Sequence, residues 1–255
     1  MTAGPDELSE SQRRALRIEI GVVLAVTFAL SAYSALLRLV EAVLLGLAGR
    51  IVALNPRRSP IDLIDMGLNL AGVFQLLAWG ALGIYLLWRS GFGPSQIGLA
   101  RLQWRPDLLG GIGLALLIGI PGLALYQIAR ILGLNASVEP AELNDTWWRI
   151  PVLLLVSFAN GWAEEVIVVG FLITRLRQLR VNPVAAIVAS SVLRGVYHLY
   201  QGFGAGLGNL VMGLVFGYVY MRTGRLWPLI IAHGLIDSVA FVGYALAAGH
   251  LGWLQ

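Results

Sequence analysis

Residues 151–176 read PVLLLVSFANGWAEEVIVVGFLITRL. The run is almost entirely apolar and exceeds the roughly 20 residues a helix needs to cross hydrocarbon. Two consecutive carboxylates, Glu164 and Glu165, stand in its middle. A charge at the centre of a bilayer helix costs at least ~2.5–3.5 kcal/mol, so an intramembrane acid marks a functional-site hypothesis. Two histidines fall in later apolar runs, His198 in SSVLRGVYHLYQG (190–202) and His233 in LIIAHGLIDSVAF (229–241). With Asp237, one turn after His233, they supply the side chains used for water activation or metal binding.

The surrounding chain agrees with a membrane setting. Of its 255 residues 58% are hydrophobic and 13% charged, about half the charged share of a soluble domain. The expected fold is all-α, a polytopic transmembrane bundle of about 7–8 helices. The absence of cysteine excludes disulfides and thiolate chemistry. All eighteen basic residues are arginines, and they gather at the ends of apolar runs. That placement suits loops at a membrane face and argues against a nucleic-acid partner. The start, MTAGPDELSESQRRALRIE, lacks the apolar core and cleavage site of a signal peptide, so the first apolar run is expected to be a retained anchor.

Four regions are expected: a polar tail over 1–16, disordered or interfacial; an N-terminal transmembrane region over 17–146; a core over 147–247; and a C-terminal tail over 248–255. Residues 18–50 exceed one span and read as a crossing helix with a tilted or interfacial extension. Arg38 and Glu41 are expected to meet on one face of it. Further spans are read over 61–88, 108–132 (kinked at Pro121), 147–179, 183–200, 207–221 and 226–247. Residues 89–107 and 135–145 read as loops. Gly213-x-x-x-Gly217 reads as close helix packing. The arginines after the fourth and sixth spans orient those loops, and the N-terminus, toward the cytoplasm. The loop holding Arg57 and Arg58 opposes that rule.

Depth ties the polar residues together. At 1.5 Å per residue, Glu164 lies about 16 Å inward from Arg175, and His233 and Asp237 about 12 and 18 Å inward from Arg225. His198 and Arg194 lie about 22 and 16 Å inward from Pro183. Glu164 and Glu165 point about 100° apart, so one can face a cavity while the other holds a structural partner. Arg194, at the depth of the glutamates, is expected to pair with Glu165. The plainer alternatives are acids bonded to backbone or arginine, and a His233–Asp237 pair that joins two helices. Tyr197 and Tyr200 read as interfacial anchors, and His250 as a loop residue.

Over about 147–247 the chain resembles the CPBP (Abi) family of intramembrane proteases, relatives of the type II CaaX prenyl endopeptidases. The family's Glu-Glu-x-x-x-Arg motif is met by Glu164 and Glu165, with Val169 in the Arg position. Its Phe-x-x-x-His motif is met by His198, with Arg194 in the Phe position. Its His-x-x-x-Asn/Asp motif is met in full by His233 and Asp237. The resemblance implies an endopeptidase of the bacterial cytoplasmic membrane acting on a membrane-associated peptide or protein from the cytoplasmic side. It implies that Glu164 and His198 activate water and that His233 and Asp237 stabilise the oxyanion. If a metal is used, Glu164, His198, His233 and Asp237 would hold it, and zinc suits those ligand types. The two departures coincide: an arginine missing at Val169 and gained at Arg194 reads as a relocated counter-ion for Glu165. A catalytically silent scaffold or immunity protein, and a proton-coupled transporter, are the competing readings.

Overall fold

The structure is a computed structural model that describes residues 8–139, 141, 146–243 and 246. His250 and the C-terminal tail lie outside the described residues. The described chain folds into seven helices: α1 (Glu10–Leu45), α2 (Asp62–Arg89), α3 (Trp104–Ile131), α4 (Arg149–Gln178), α5 (Pro183–Tyr197), α6 (Phe203–Thr223) and α7 (Trp227–Gly243). Five of them, α1 to α4 and α6, are long and apolar enough to cross a membrane.

α1 starts earlier than the apolar run suggests. Ser9 and Gln12 form a reciprocal capping box, which carries the helix into the polar tail. The helix then continues for 36 residues, about 54 Å, through a π-helical segment at Ala25–Ala29. It is one continuous element ended by Gly46, whose φ of 101° only glycine adopts readily. The expected Arg38–Glu41 pair does not form. Glu41 instead accepts from Arg50 at 2.8 Å, beyond the turn.

The loops after α1 and α3 meet at one end of the bundle. There Ile51–Ala53 (β1) and Ser137–Glu139 (β2) pair in parallel, with Val52 opposite Val138. Sequence periodicity does not reveal three-residue strands. The same end explains Arg57 and Arg58. Arg57 bonds Asp62 at 2.5 Å, Arg58 donates its backbone N–H to buried Asp65, and Arg149 reaches both Asp65 and the Asn55 carbonyl. The charge of Arg57 is thus paired, while the Arg58 guanidinium donates to the Leu68 carbonyl at 3.0 Å. At the opposite end Arg225 pairs with Asp107, and fully buried Arg175 clasps three helices through Glu19, the Leu86 carbonyl and Ser90. Arg175 is therefore a structural clasp as well as a marker of the loop.

α4 is the central helix: most of its apolar length is buried, whereas that of α3 is almost wholly exposed. Around it pack two apolar clusters, one including Val169, Phe216 and Leu229, the other Phe28, Ile167 and Phe171. Large apolar side chains such as Leu109, Ile120 and Phe74 remain exposed on the outside, as expected where lipid is the neighbour. Small residues bring the inner helices together. A Cβ on Gly213 would stand 2.8 Å from the Ser191 Cα, fixing α6 against α5.

Gly161 does the same for α4 and α7. A Cβ there would lie 3.0 Å from the Ile230 carbonyl oxygen and 3.2 Å from the His233 Cβ. We expect Gly161→Val to push α7 away and destabilise by roughly 1–3 kcal/mol. Gly113→Ala, with nothing within 4 Å, should be neutral. Thermal denaturation in detergent checks both.

Candidate active site

α4 changes pitch where the chemistry-bearing acids sit. Its α-helical part ends at Glu164, and Glu165–Phe171 winds as a π-helix, every residue buried. Such wide turns recur at functional sites. The run Val166, Ile167, Val168, Val169 is crowded for a regular helix. Ser190 on α5 donates to the Val168 carbonyl at 2.6 Å, holding the segment from outside.

The two glutamates face different partners. Glu165, fully buried, accepts at one oxygen from two donors: Arg194 Nη2 at 2.7 Å and His233 Nδ1 at 2.7 Å. Arg194 is likewise fully buried, and its guanidinium lies over the Phe216 ring. The ion pair expected from the shared depth is present. Glu165 Oε2 and Arg194 Nε and Nη1 are buried without a hydrogen-bond partner among the described residues.

Glu164 points elsewhere. Its Oε2 accepts from the Tyr197 hydroxyl at 2.5 Å and lies 4.0 Å from His233 Nε2. Its Oε1 has no hydrogen-bond partner among the described residues, yet it is not among the sealed-off atoms. One carboxylate is therefore locked and its neighbour is open at one oxygen.

His233, on α7, joins the two. With Nδ1 donating to Glu165, its Nε2 stands between Glu164 and Asp237, the latter 3.7 Å away. Asp237 accepts from Asn160 Nδ2 at 2.8 Å. Glu164, His233 and Asp237 thus converge from α4 and α7.

His198 comes from the end of α5 and lies close enough to Glu164 and His233 to interact with both electrostatically. α5 ends at Tyr197, and His198 caps it, its Nδ1 3.0 Å from the Arg194 carbonyl. A carbonyl can only accept, so Nδ1 carries the proton and a neutral ring keeps its lone pair on Nε2. No hydrogen bond or ion pair joins His198 to Glu164 among the described residues. The Tyr197 ring, whose hydroxyl bonds Glu164, has its centroid 4.7 Å from the imidazole.

Two contributors escape the sequence reading. Tyr197 is buried against Phe28 and bonded to Glu164, so it is no interfacial anchor. Its position three residues after Arg194 puts it on the same helix face, which was the available signal. Asn160 lies one turn before Glu164, again on one face.

As a zinc ligand set the four candidates do not converge. Zinc ligand atoms lie about 2.0–2.2 Å from the metal. No group of three His, Asp or Glu side chains among the described residues is arranged to hold an ion.

The fold and this centre define a polytopic helical membrane protein with a buried Glu-His-Asp cluster at its core. Residues 146–239 match the Rce1-like family model, described as type II CAAX prenyl endopeptidase Rce1-like. The matched stretch contains Glu164, Glu165, Arg194, His198, His233 and Asp237. It bears out the resemblance of this segment to the CPBP/CaaX protease family. No curated protein and no solved structure matches the chain.

Proposed function

We propose that the protein is an intramembrane endopeptidase that hydrolyses a peptide bond of a membrane-associated peptide or protein. The observation that carries this reading is the inequality of the two glutamates: Glu165 is saturated at one oxygen and sealed at the other, whereas Glu164 keeps Oε1 open. Glu164 takes a proton from water as that water attacks the scissile carbonyl, and returns it to the leaving amine. Tyr197 holds the carboxylate in place. A His233 protonated on both nitrogens presents Nε2–H to the developing oxyanion, oriented by Glu165 at Nδ1. Asn160 and Asp237 line the other side of Nε2. His198 contributes the Nε2 lone pair next to Tyr197, as a second proton acceptor. The arginine-bearing end with Arg175, Arg177, Arg180, Arg222 and Arg225 faces the cytoplasm, which puts the N-terminus there too.

The test is cleavage of a membrane-inserted peptide by purified protein in H2(18)O. We expect one solvent oxygen in the new C-terminal carboxylate and no dependence on a proton gradient. Activity should survive removal of metal by chelators, because the donor set does not close on an ion. Loss on chelation with recovery on adding zinc would favour the metal-dependent alternative. Gradient-driven uptake without cleavage would instead favour a transporter.

A further inference from the structure

The connection from α5 to α6 is residues 198–202, built on one 3-10 turn at Leu199–Gln201. Its own bonds are few: the Gln201 N–H donates to the His198 carbonyl at 3.2 Å and the Gly202 N–H to the Leu199 carbonyl at 3.0 Å. Such turns have poorer hydrogen-bond geometry than an α-helix and hold weakly alone. His198 opens this connection, so its ring is only as fixed as the backbone beneath it.

The remaining support comes from elsewhere in the chain. After α3, residues 134–136 run antiparallel across the connection as a strap, with Asn135 bridging Gly202. The Ala136 N–H donates to the Gln201 carbonyl at 2.8 Å, and the Phe203 N–H to the Leu134 carbonyl at 2.9 Å. Two successive bonds, Ala136 to Gln201 and Gln201 to His198, therefore link the strap to His198. Ala136, fully buried, belongs to an apolar cluster against which Leu199, the next residue after His198, packs.

Asn135 is the pivot of the strap. It is 2% exposed, and its Oδ1 accepts from the Ala205 N–H at 3.0 Å. Ala205 is the third residue of α6, and its N–H is one that an N-cap side chain ordinarily satisfies. The N-cap itself is Gly202, which has no side chain to offer. Nor could it carry one: its φ is 124°, and a Cβ would stand 2.7 Å from the Asn135 Cα. The strap therefore supplies the cap of α6 from 70 residues away.

Resting on the reading of His198 as a proton acceptor, we infer that Asn135 is a positioning residue, which sets the imidazole by capping α6 and closing the connection over 198–202. Without its oxygen the Ala205 N–H loses its partner, the first turn of α6 loosens, and the strap slackens at Gln201. The His198 Nδ1–H then leaves the Arg194 carbonyl, 3.0 Å away in the intact site, and Nε2 no longer holds its lone pair in one direction.

The test observes the imidazole directly, without turnover. The protein has three histidines. NMR of protein carrying isotope-labelled histidine, in nanodiscs, therefore resolves their rings, and His198→Gln identifies the relevant one. In the unchanged protein His198 should show a single tautomer with its proton on Nδ1. Asn135→Ala should give a mixture of tautomers, and Asn135→Asp, which keeps the acceptor oxygen, should return the single form. Asn135→Ser, whose oxygen falls one bond short of Ala205, takes the place of Asn135→Ala should that variant not fold. In cleavage assays Asn135→Ala should lower kcat roughly 10–100-fold with KM unchanged. In a His198→Gln background the same change should cost nothing further, whereas a general loosening of the fold would cost as much in either background. An unchanged His198 tautomer in Asn135→Ala, or an equal cost in both backgrounds, overturns the inference. Mixed tautomers in a protein that cleaves nothing would uphold Asn135 as the residue that positions His198 and sink the endopeptidase.

Discussion

Glu164→Gln should abolish peptide hydrolysis while leaving the protein folded, with kcat down about 10²–10⁴-fold, the range spanned by general acid–base catalysis. The amide is nearly the shape of the carboxylate, and its oxygen can still accept from Tyr197, which bonds Glu164 at 2.5 Å. It cannot take a proton from water. Glu165→Gln should behave differently, because Glu165 bonds Arg194 and His233 through one oxygen in a sealed site. That change leaves Arg194 buried without its counter-charge and should show first as a fall in thermal stability. The measurement is a pair of columns, rate and melting midpoint, for the two variants. A Glu164→Gln protein that melts early, or that still cleaves, would sink the assignment of roles. A scaffold or immunity protein predicts that the cellular phenotype survives Glu164→Gln intact.

Most of the helical frame was legible because the apolar runs are long and broken by arginine, proline or polar turns. The depth argument brought Glu164, His233 and Asp237 together because helical rise converts sequence separation directly into height. Height says nothing about lateral position, so it could not show that Tyr197 is the α5 side chain hydrogen-bonded to Glu164. Tyr197 itself was misread because aromatic residues near a helix end ordinarily mark the membrane interface. Here α5 is only 15 residues long and ends inside the bundle. The strands β1 and β2 were invisible for another reason: three residues carry too little periodicity to register, and their pairing depends on two loops far apart in sequence. Arg38 and Glu41 are correctly spaced for a pair, but a turn brings Arg50 to the same carboxylate. Spacing states which contacts are possible on one helix and cannot rank them against partners beyond it.

Arg194→Phe should destabilise the protein by about 3–5 kcal/mol, the usual loss when one partner of a buried ion pair is removed. Both side chains are fully buried, 2.7 Å apart. Glu165 would keep only the His233 N–H, and His233 is itself needed at the centre. The residue types at positions 169 and 194 then predict a rescue. Val169 lies in the same apolar cluster as Phe216, and the Arg194 guanidinium sits over the Phe216 ring. An arginine at 169 therefore starts one turn from Glu165 and next to the space that the present guanidinium occupies. Val169→Arg alone should be harmful, since it buries a second cation beside the first. Combined with Arg194→Phe, it restores the arrangement of the family motifs and should recover a large part of both stability and rate. A second combination separates charge from shape. Arg194→Phe with Glu165→Gln removes both charges, so it should be more stable than Arg194→Phe alone. Its rate should stay low, because the amide orients His233 less firmly than the carboxylate. Arg194→Phe, Val169→Arg and their combination form, with the unchanged protein, a cycle whose coupling energy is read from melting midpoints and denaturant titration. If Arg194→Phe is neutral, or if its effect simply adds to that of Val169→Arg, the two positions are not exchanging one counter-ion.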